Sequence, residues 1–232
     1  MLFRFYHLLP DEPLTFLIMM AFWAVALVVA ITIHEFSHTV VANGLGDTTA
    51  KCLGRLSLNP LKHLDPSGTA MILLAGFGWG KPVPVNPHRL AHGATGTSLV
   101  AAAGPISNLA IAFVLAVPIK LGILDYTGFG IYSIAQLIDG GILSTLSILF
   151  TLIITLNLLL AVFNLIPLAP LDGSRILEGF IPREHSAAYA RLQQYGPVIL
   201  IGVIMLDYAV GLGILQTVLG PVIRSLTAIA IG

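Results

Sequence analysis

Four apolar runs limit what this chain can fold into. Leu14 to Ile33 is twenty residues without a charge, about one helical crossing of a 30 Å hydrocarbon layer. Ser98 to Ile119 and Gly141 to Ile166 are also uncharged, and Pro197 to Leu219 carries a single acid, Asp207. The whole chain fits this pattern, with 56% of its residues hydrophobic, 9% charged and no net charge. A soluble domain of 232 residues exposes far more Lys, Glu, Asp and Arg. The expected fold is therefore an all-α membrane protein, a polytopic helical bundle of about four (up to six) transmembrane helices. Residues 1–232 read as one integral membrane domain, with spans near 14–42, 98–119, 141–166 and 197–219.

Other classes fall away quickly. The first run exceeds the apolar core of a cleavable signal peptide and lacks a small-residue cleavage site. Zero net charge argues against a nucleic-acid partner. Cys52 is the only cysteine, so no disulfide forms within one chain. Eight of the eleven Lys and Arg fall in two segments, 44–97 and 167–196. With four spans both segments share one side, which the positive-inside rule makes cytoplasmic, leaving the N-terminus outside.

Between the first two long runs lies a shorter apolar piece, Thr69 to Gly80, too short to span and rich in glycine. It reads as re-entrant or interfacial. "AKCLGRLSLNP" before it alternates like a short strand, and "KPVPVNP" after it suits an edge strand. A small membrane-associated β segment is expected near 51–87.

The anomaly is "VVAITIHEFSHTVVANG", where His34, Glu35 and His38 interrupt the end of the first run. Ionisable residues inside spans are costly and mark functional sites. Histidines four apart share a helix face, and H-E-x-x-H on a helix is a zinc-binding pattern with the glutamate as general base. Two imidazoles, a third protein ligand and a water make an open zinc site. Zinc lowers the pKa of such a water towards about 7, and Glu35 can take its proton. The third ligand could come from His63, Asp65, His88, His92, His185 or Asp172. Asp172 is best placed, because "PLDGSR" follows the third span at the same end.

At this point several linked motifs line up. "HEFSH", "NPLKHLDPSGT", "GWGKPVPVNP", "AGPISN" and "FNLIPLAPLDGSRIL" stand in the order found in site-2 proteases, the intramembrane zinc metalloproteases. The chain resembles that family over roughly His34 to Leu177. The resemblance implies His34, His38 and Asp172 as ligands of one Zn2+ per chain and Glu35 as catalytic base. It implies Asn164 as the asparagine that hydrogen-bonds the substrate carbonyl or its oxyanion. It also implies that the stretch matching "MILLAGFGWGKPVPVNP" is β structure holding an extended substrate. The expected partners are transmembrane protein substrates and membrane lipid. The expected location is a prokaryotic plasma membrane, multi-pass, with the active site near the cytoplasmic side. No PDZ-sized insert separates spans two and three, so a minimal catalytic core is expected.

A competing reading from another class is a metal or proton transporter using His34, Glu35 and His38 as a relay. Transporters place polar groups at the midplane of several spans, often within repeats. Here they gather at one end and no repeat is visible. Three further expectations concern single residues. His63 and Asp65 fix a turn near the site. Pro105 and Asn108 shape span two against the catalytic helix. Asp207 finds a backbone or hydroxyl partner.

Overall fold

Proline at its first position and an uninterrupted apolar sequence give α1 (Pro13–Gly44) 32 residues of helix, about 48 Å of rise. The computed structural model describes residues 10–75, 78–128 and 141–232. Arg4 and residues 76 and 77 of the expected re-entrant piece lie outside them. In α1 the buried positions Thr15, Met19, Trp23, Ala26, Ala30, His34, His38 and Ala42 recur every three or four residues. They form one stripe along the helix, and the two histidines belong to it.

Two long helices cover that stripe. α4 (Gly93–Lys120) and α5 (Gly141–Asn164) pack on α1 and on each other. Phe16, Met19, Trp23, Ala26 and Ile31 of α1 meet Ile148, Leu152, Ile153 and Leu156 of α5 in one apolar cluster. Ala112, Ala116 and Ile119 of α4 meet Ile154 and Leu158 of α5 and Ala230 of α8 (Ile214–Ile231) in a second. Alanine and glycine on α4 allow the close approach that helices in lipid need, since apolar burial alone does not drive their association. After α5 the chain turns through two prolines, Pro167 and Pro170, into the short α6 (Asp172–Glu178), which packs against α4. α7 (Arg183–Val210) then touches α6 and α8.

Among the described residues four helices are long and apolar enough to cross a membrane: α1, α4, α5 and α8. This agrees with the expected helical bundle, with one shift. The run expected to span as 197–219 is broken between α7 and α8. Gly211 and Gly213 both adopt φ near +65 to +69°, the left-handed conformation that glycine tolerates. Asp207 secures the break by accepting from Ile214 N at 2.6 Å, the backbone partner expected for it.

The expected β segment near 51–87 is not there. Among the described residues there is no strand, only an isolated bridge between Leu64 and Gly80. Residues Thr49–Cys52 form a short helix, α2. The re-entrant piece begins as a helix, α3 (Pro66–Ala75). Its start has a helix signal that the glycine content obscured. Asp65 accepts from Gly68 N at 2.8 Å and from Ser67 Oγ, and Pro66 occupies the first helical position. Gly68 is needed because a side chain would run into the Trp79 carbonyl.

Beyond Trp79, a different pairing replaces the ladder. The buried Arg55 guanidinium donates to the carbonyls of Lys62, Lys81 and Pro82. Pro82 and Pro84 have no N–H to offer a neighbouring strand. Lys81 N donates to His63 O at 2.8 Å. The fully buried Asp47, just past α1, accepts from Asn86 N at 2.7 Å and from Thr49 N at 3.0 Å. Residues 78–87 are thereby strapped across the end of α1 that carries His34, Glu35 and His38.

Candidate metal centre

The four-residue spacing alone would leave the His34 and His38 rings free to rotate, and neighbouring groups remove that freedom. His34 Nδ1 meets Asn108 Oδ1 of α4 at 2.6 Å, and His38 Nδ1 meets the Val100 carbonyl of α4 at 2.7 Å. A carbonyl can only accept, so His38 Nδ1 carries a proton, and Nε2 is the nitrogen left to offer a lone pair to a metal. The two rings stand edge to face, 4.7 Å between centroids and 87° between planes. Both Nε2 atoms point to the same place.

Asp172 arrives there from the other side. It is the first residue of α6, held by the tight turn after α5. Gly173 permits that turn, because a Cβ would strike the carbonyls of Leu165 and Ile166. Asp172 Oδ2 lies 3.0 Å from His34 Nε2 and 3.3 Å from His38 Nε2. It is buried and has no hydrogen-bond donor aligned on it. Of the six candidates for a third ligand, the structure brings only Asp172 to the histidines.

The arrangement fits zinc. Ligands about 2.0–2.1 Å from a tetrahedral ion stand about 3.3 Å apart, close to both measured separations. Three lone-pair groups facing each other in a buried space, one of them anionic, are unfavourable without a cation between them. Gly104 completes the cradle. A Cβ there would lie 2.5 Å from His34 Cε1, 2.6 Å from His38 Nε2 and 2.7 Å from His34 Nε2.

Glu35, one residue from His34 and so turned about 100° on the helix, is half-buried beneath the strap. A Cβ on Gly80 would stand 3.3 Å from Glu35 Oε1 and 2.9 Å from Ile31 Cγ2. Asn164 ends α5, its Nδ2 donating to Leu160 O at 2.9 Å, and among the described residues it makes no hydrogen bond to the cluster.

The remaining histidines are elsewhere. His63 is buried with Nε2 on Ser57 O at 2.6 Å, holding the turn expected of it, and Asp65 caps α3. His88, His92 and His185 are exposed in loops or at a helix start. Sequence reasoning alone misses Gly104, Asn157 and the carbonyl of Val100. The one available signal is the small-residue run "AGPISN", which forecasts close helix contact but not the partner.

Comparison with known proteins gives the family. The model of peptidase family M50 matches residues 22–206. YwhC of Bacillus subtilis, a candidate zinc metalloprotease by name, is 42% identical over 183 residues, covering 79% of this chain and 80% of that protein. Rip2 of Mycolicibacterium smegmatis, named in the same way, is 30% identical over 192 residues, covering 80% of this chain and 66% of its own length. Rip2 of Mycobacterium tuberculosis H37Rv is 30% identical over 190 residues, with the same coverage. No solved structure matches the chain. A family match over most of the sequence, four membrane-length helices and a buried His-His-Asp cradle lead to one assignment: the chain belongs to peptidase family M50, the site-2 protease family, and is an integral membrane zinc metalloprotease.

Proposed function

We propose that this metalloprotease cuts transmembrane segments of other membrane proteins near the cytoplasmic face, with His34, His38 and Asp172 holding one Zn2+ per chain. The observation that carries this reading is the convergence of His34 Nε2, His38 Nε2 and Asp172 Oδ2 beside Glu35, at the far end of a membrane-length helix. His34 lies about 30 Å of helical rise from Pro13. The two segments richest in Lys and Arg flank that end, which supports a cytoplasmic placement. Family membership supports a protease over the transporter alternative.

Zinc bound in this cradle supplies a Lewis acid that polarises the scissile carbonyl and acidifies water. The chain's own residues do the rest. Glu35 takes a proton from the attacking water on a carboxylate oxygen and delivers it to the leaving amide nitrogen. Asn164 turns its Nδ2 from Leu160 O to the substrate carbonyl oxygen, where charge develops. A helical substrate hides its peptide bonds, so it must unwind first. Gly80 stands beside Glu35, residues 81–86 continue from it towards Asp47, and Val83 and Val85 have backbone groups not engaged by other backbone among the described residues. Those groups receive the freed N–H and C=O groups of the unwound segment.

Glu35→Gln tests the reading, because it keeps size and hydrogen bonding but cannot accept the proton. In vesicles holding a single-span reporter substrate, this variant is expected to retain zinc and capture the reporter. Its cleavage should fall by about three or more orders of magnitude. Near-normal cleavage by Glu35→Gln would refute the mechanism even with the metal in place.

A further inference from the structure

Behind His34 the polar chain continues, away from the metal centre and through two helices. Asn108 Nδ2 donates to Ala30 O at 3.0 Å and to Asn157 Oδ1 at 2.7 Å. Asn157 Nδ2 donates in turn to Ile153 O at 2.8 Å. Both asparagines are fully buried, on α4 and α5, within the bundle core. A buried amide in lipid must find its hydrogen-bond partners inside the protein, and these two are not needed to close any helix end.

The direction of the chain is fixed at its far ends by groups that cannot donate. Ile153 O requires the Nδ2 side of Asn157, which turns Asn157 Oδ1 towards Asn108. Ala30 O and Asn157 Oδ1 both require hydrogens, and Asn108 Nδ2 has two. Only Oδ1 of Asn108 remains to face His34, so His34 Nδ1 must carry a proton, and Nε2 is the nitrogen left to offer a lone pair to a metal. An amide does not titrate in any accessible range, so the arrangement has one sense.

We infer that Asn108, locked by Asn157, is a positioning residue that holds His34 in the tautomer and orientation a metal ligand needs. Groups that hold the second ring nitrogen of a ligand histidine govern metal affinity, and their loss costs about 10–100-fold. The inference rests on the proposed ligand role of His34. Asn157 acts one step further out, through Asn108, and needs only its acceptor atom to do so. A merely adhesive role between α1, α4 and α5 would instead affect stability and leave the tautomer alone.

The test uses the full chain in detergent, with zinc affinity read by chelator competition and the His34 ring state by ¹⁵N spectroscopy of the metal-free protein. Wild type is expected to show a proton on His34 Nδ1, hydrogen-bonded to Asn108 Oδ1. A wild-type spectrum with Nδ1 unprotonated overturns the inference without any variant. Asn108→Leu and Asn157→Leu should give mixed tautomers and weaken zinc binding by about 10–100-fold, the nearer residue more. Asn157→Asp, protonated in this apolar core, donates its O–H to Ile153 O and keeps its carbonyl oxygen for Asn108 Nδ2, and should restore both readouts. Thr151→Val removes another buried polar group of α5 and should change stability alone. Wild-type zinc affinity in Asn108→Leu, or equal losses in Asn157→Asp and Asn157→Leu, would refute the relay. His34→Ala separates this failure from failure of the ligand set: zinc retained there refutes the ligands, whereas zinc lost there but unchanged in Asn108→Leu refutes only the relay.

Discussion

Gly104→Ala adds one methyl group at the most constrained point of the cradle. That carbon would stand 2.5–2.7 Å from three imidazole atoms of His34 and His38, where ordinary contact is about 3.5 Å or more. About 1 Å must therefore come from somewhere. The rings cannot retreat without breaking the 2.6 Å and 2.7 Å bonds at their Nδ1 atoms. If α4 moves back instead, its packing on α1 opens, at a cost of about 1–3 kcal/mol. A 1 Å misplacement of reacting groups lowers turnover by about 100-fold. Gly104→Ala is therefore expected to lose zinc affinity and most cleavage while remaining a folded membrane protein. Zinc competition and cleavage of a single-span reporter read both effects. Gly202→Ala is the matched control, since a Cβ there meets nothing within 4 Å and alanine gains up to about 1 kcal/mol in a helix. If Gly104→Ala binds zinc and cleaves like wild type, the close approach of α4 to the two rings does not shape the cradle, and the reasoning fails.

Two further outcomes are expected. Burial opposes ionisation of Asp47, but the Thr49 hydroxyl and the N–H groups of Asn86 and Thr49, with Arg89 nearby, hold its carboxyl below the usual carboxylate range. Its anchoring of the strap is then fully present above that range and lost as pH falls below about 4. Hydrogen exchange at residues 81–86 should rise over that window in wild type and show no such step in Asp47→Asn; protection unchanged to about pH 3 in wild type would contradict this. Cys52 is exposed and is the only cysteine, so a membrane-impermeant maleimide should label it only after cells are opened. Labelling in intact cells would invert the proposed orientation.

The helices and the centre of the site were legible because their signals are periodic and costly. Apolar length marks a span, and no structural purpose accounts for His34, Glu35 and His38 inside one. Asp172 was legible only as the best of six candidates, because what turns it inward is a contact between Gly173 and the carbonyls of Leu165 and Ile166 upstream. The expected β segment failed for a nameable reason. Alternating apolar residues and prolines resemble an edge strand, but the carbonyls that a ladder would use are taken by Arg55, 26 and 27 residues away in sequence for Lys81 and Pro82. The displaced fourth helix has a similar cause. Hydropathy averages over Gly211 and Gly213, whereas the backbone turns at them. Asn108 was legible as a residue shaping span two, but not as the partner of His34, and Asn157 was not legible at all. A lone asparagine in an apolar run looks the same whether it faces a partner helix or a histidine.

Zinc content of the purified chain tests the central claim most directly. Wild type is expected to hold one zinc per chain after chelator washing and reloading, and His34→Ala, His38→Ala and Asp172→Ala are each expected to lose most of it while keeping their helical content. Full zinc occupancy in all three variants would contradict the account.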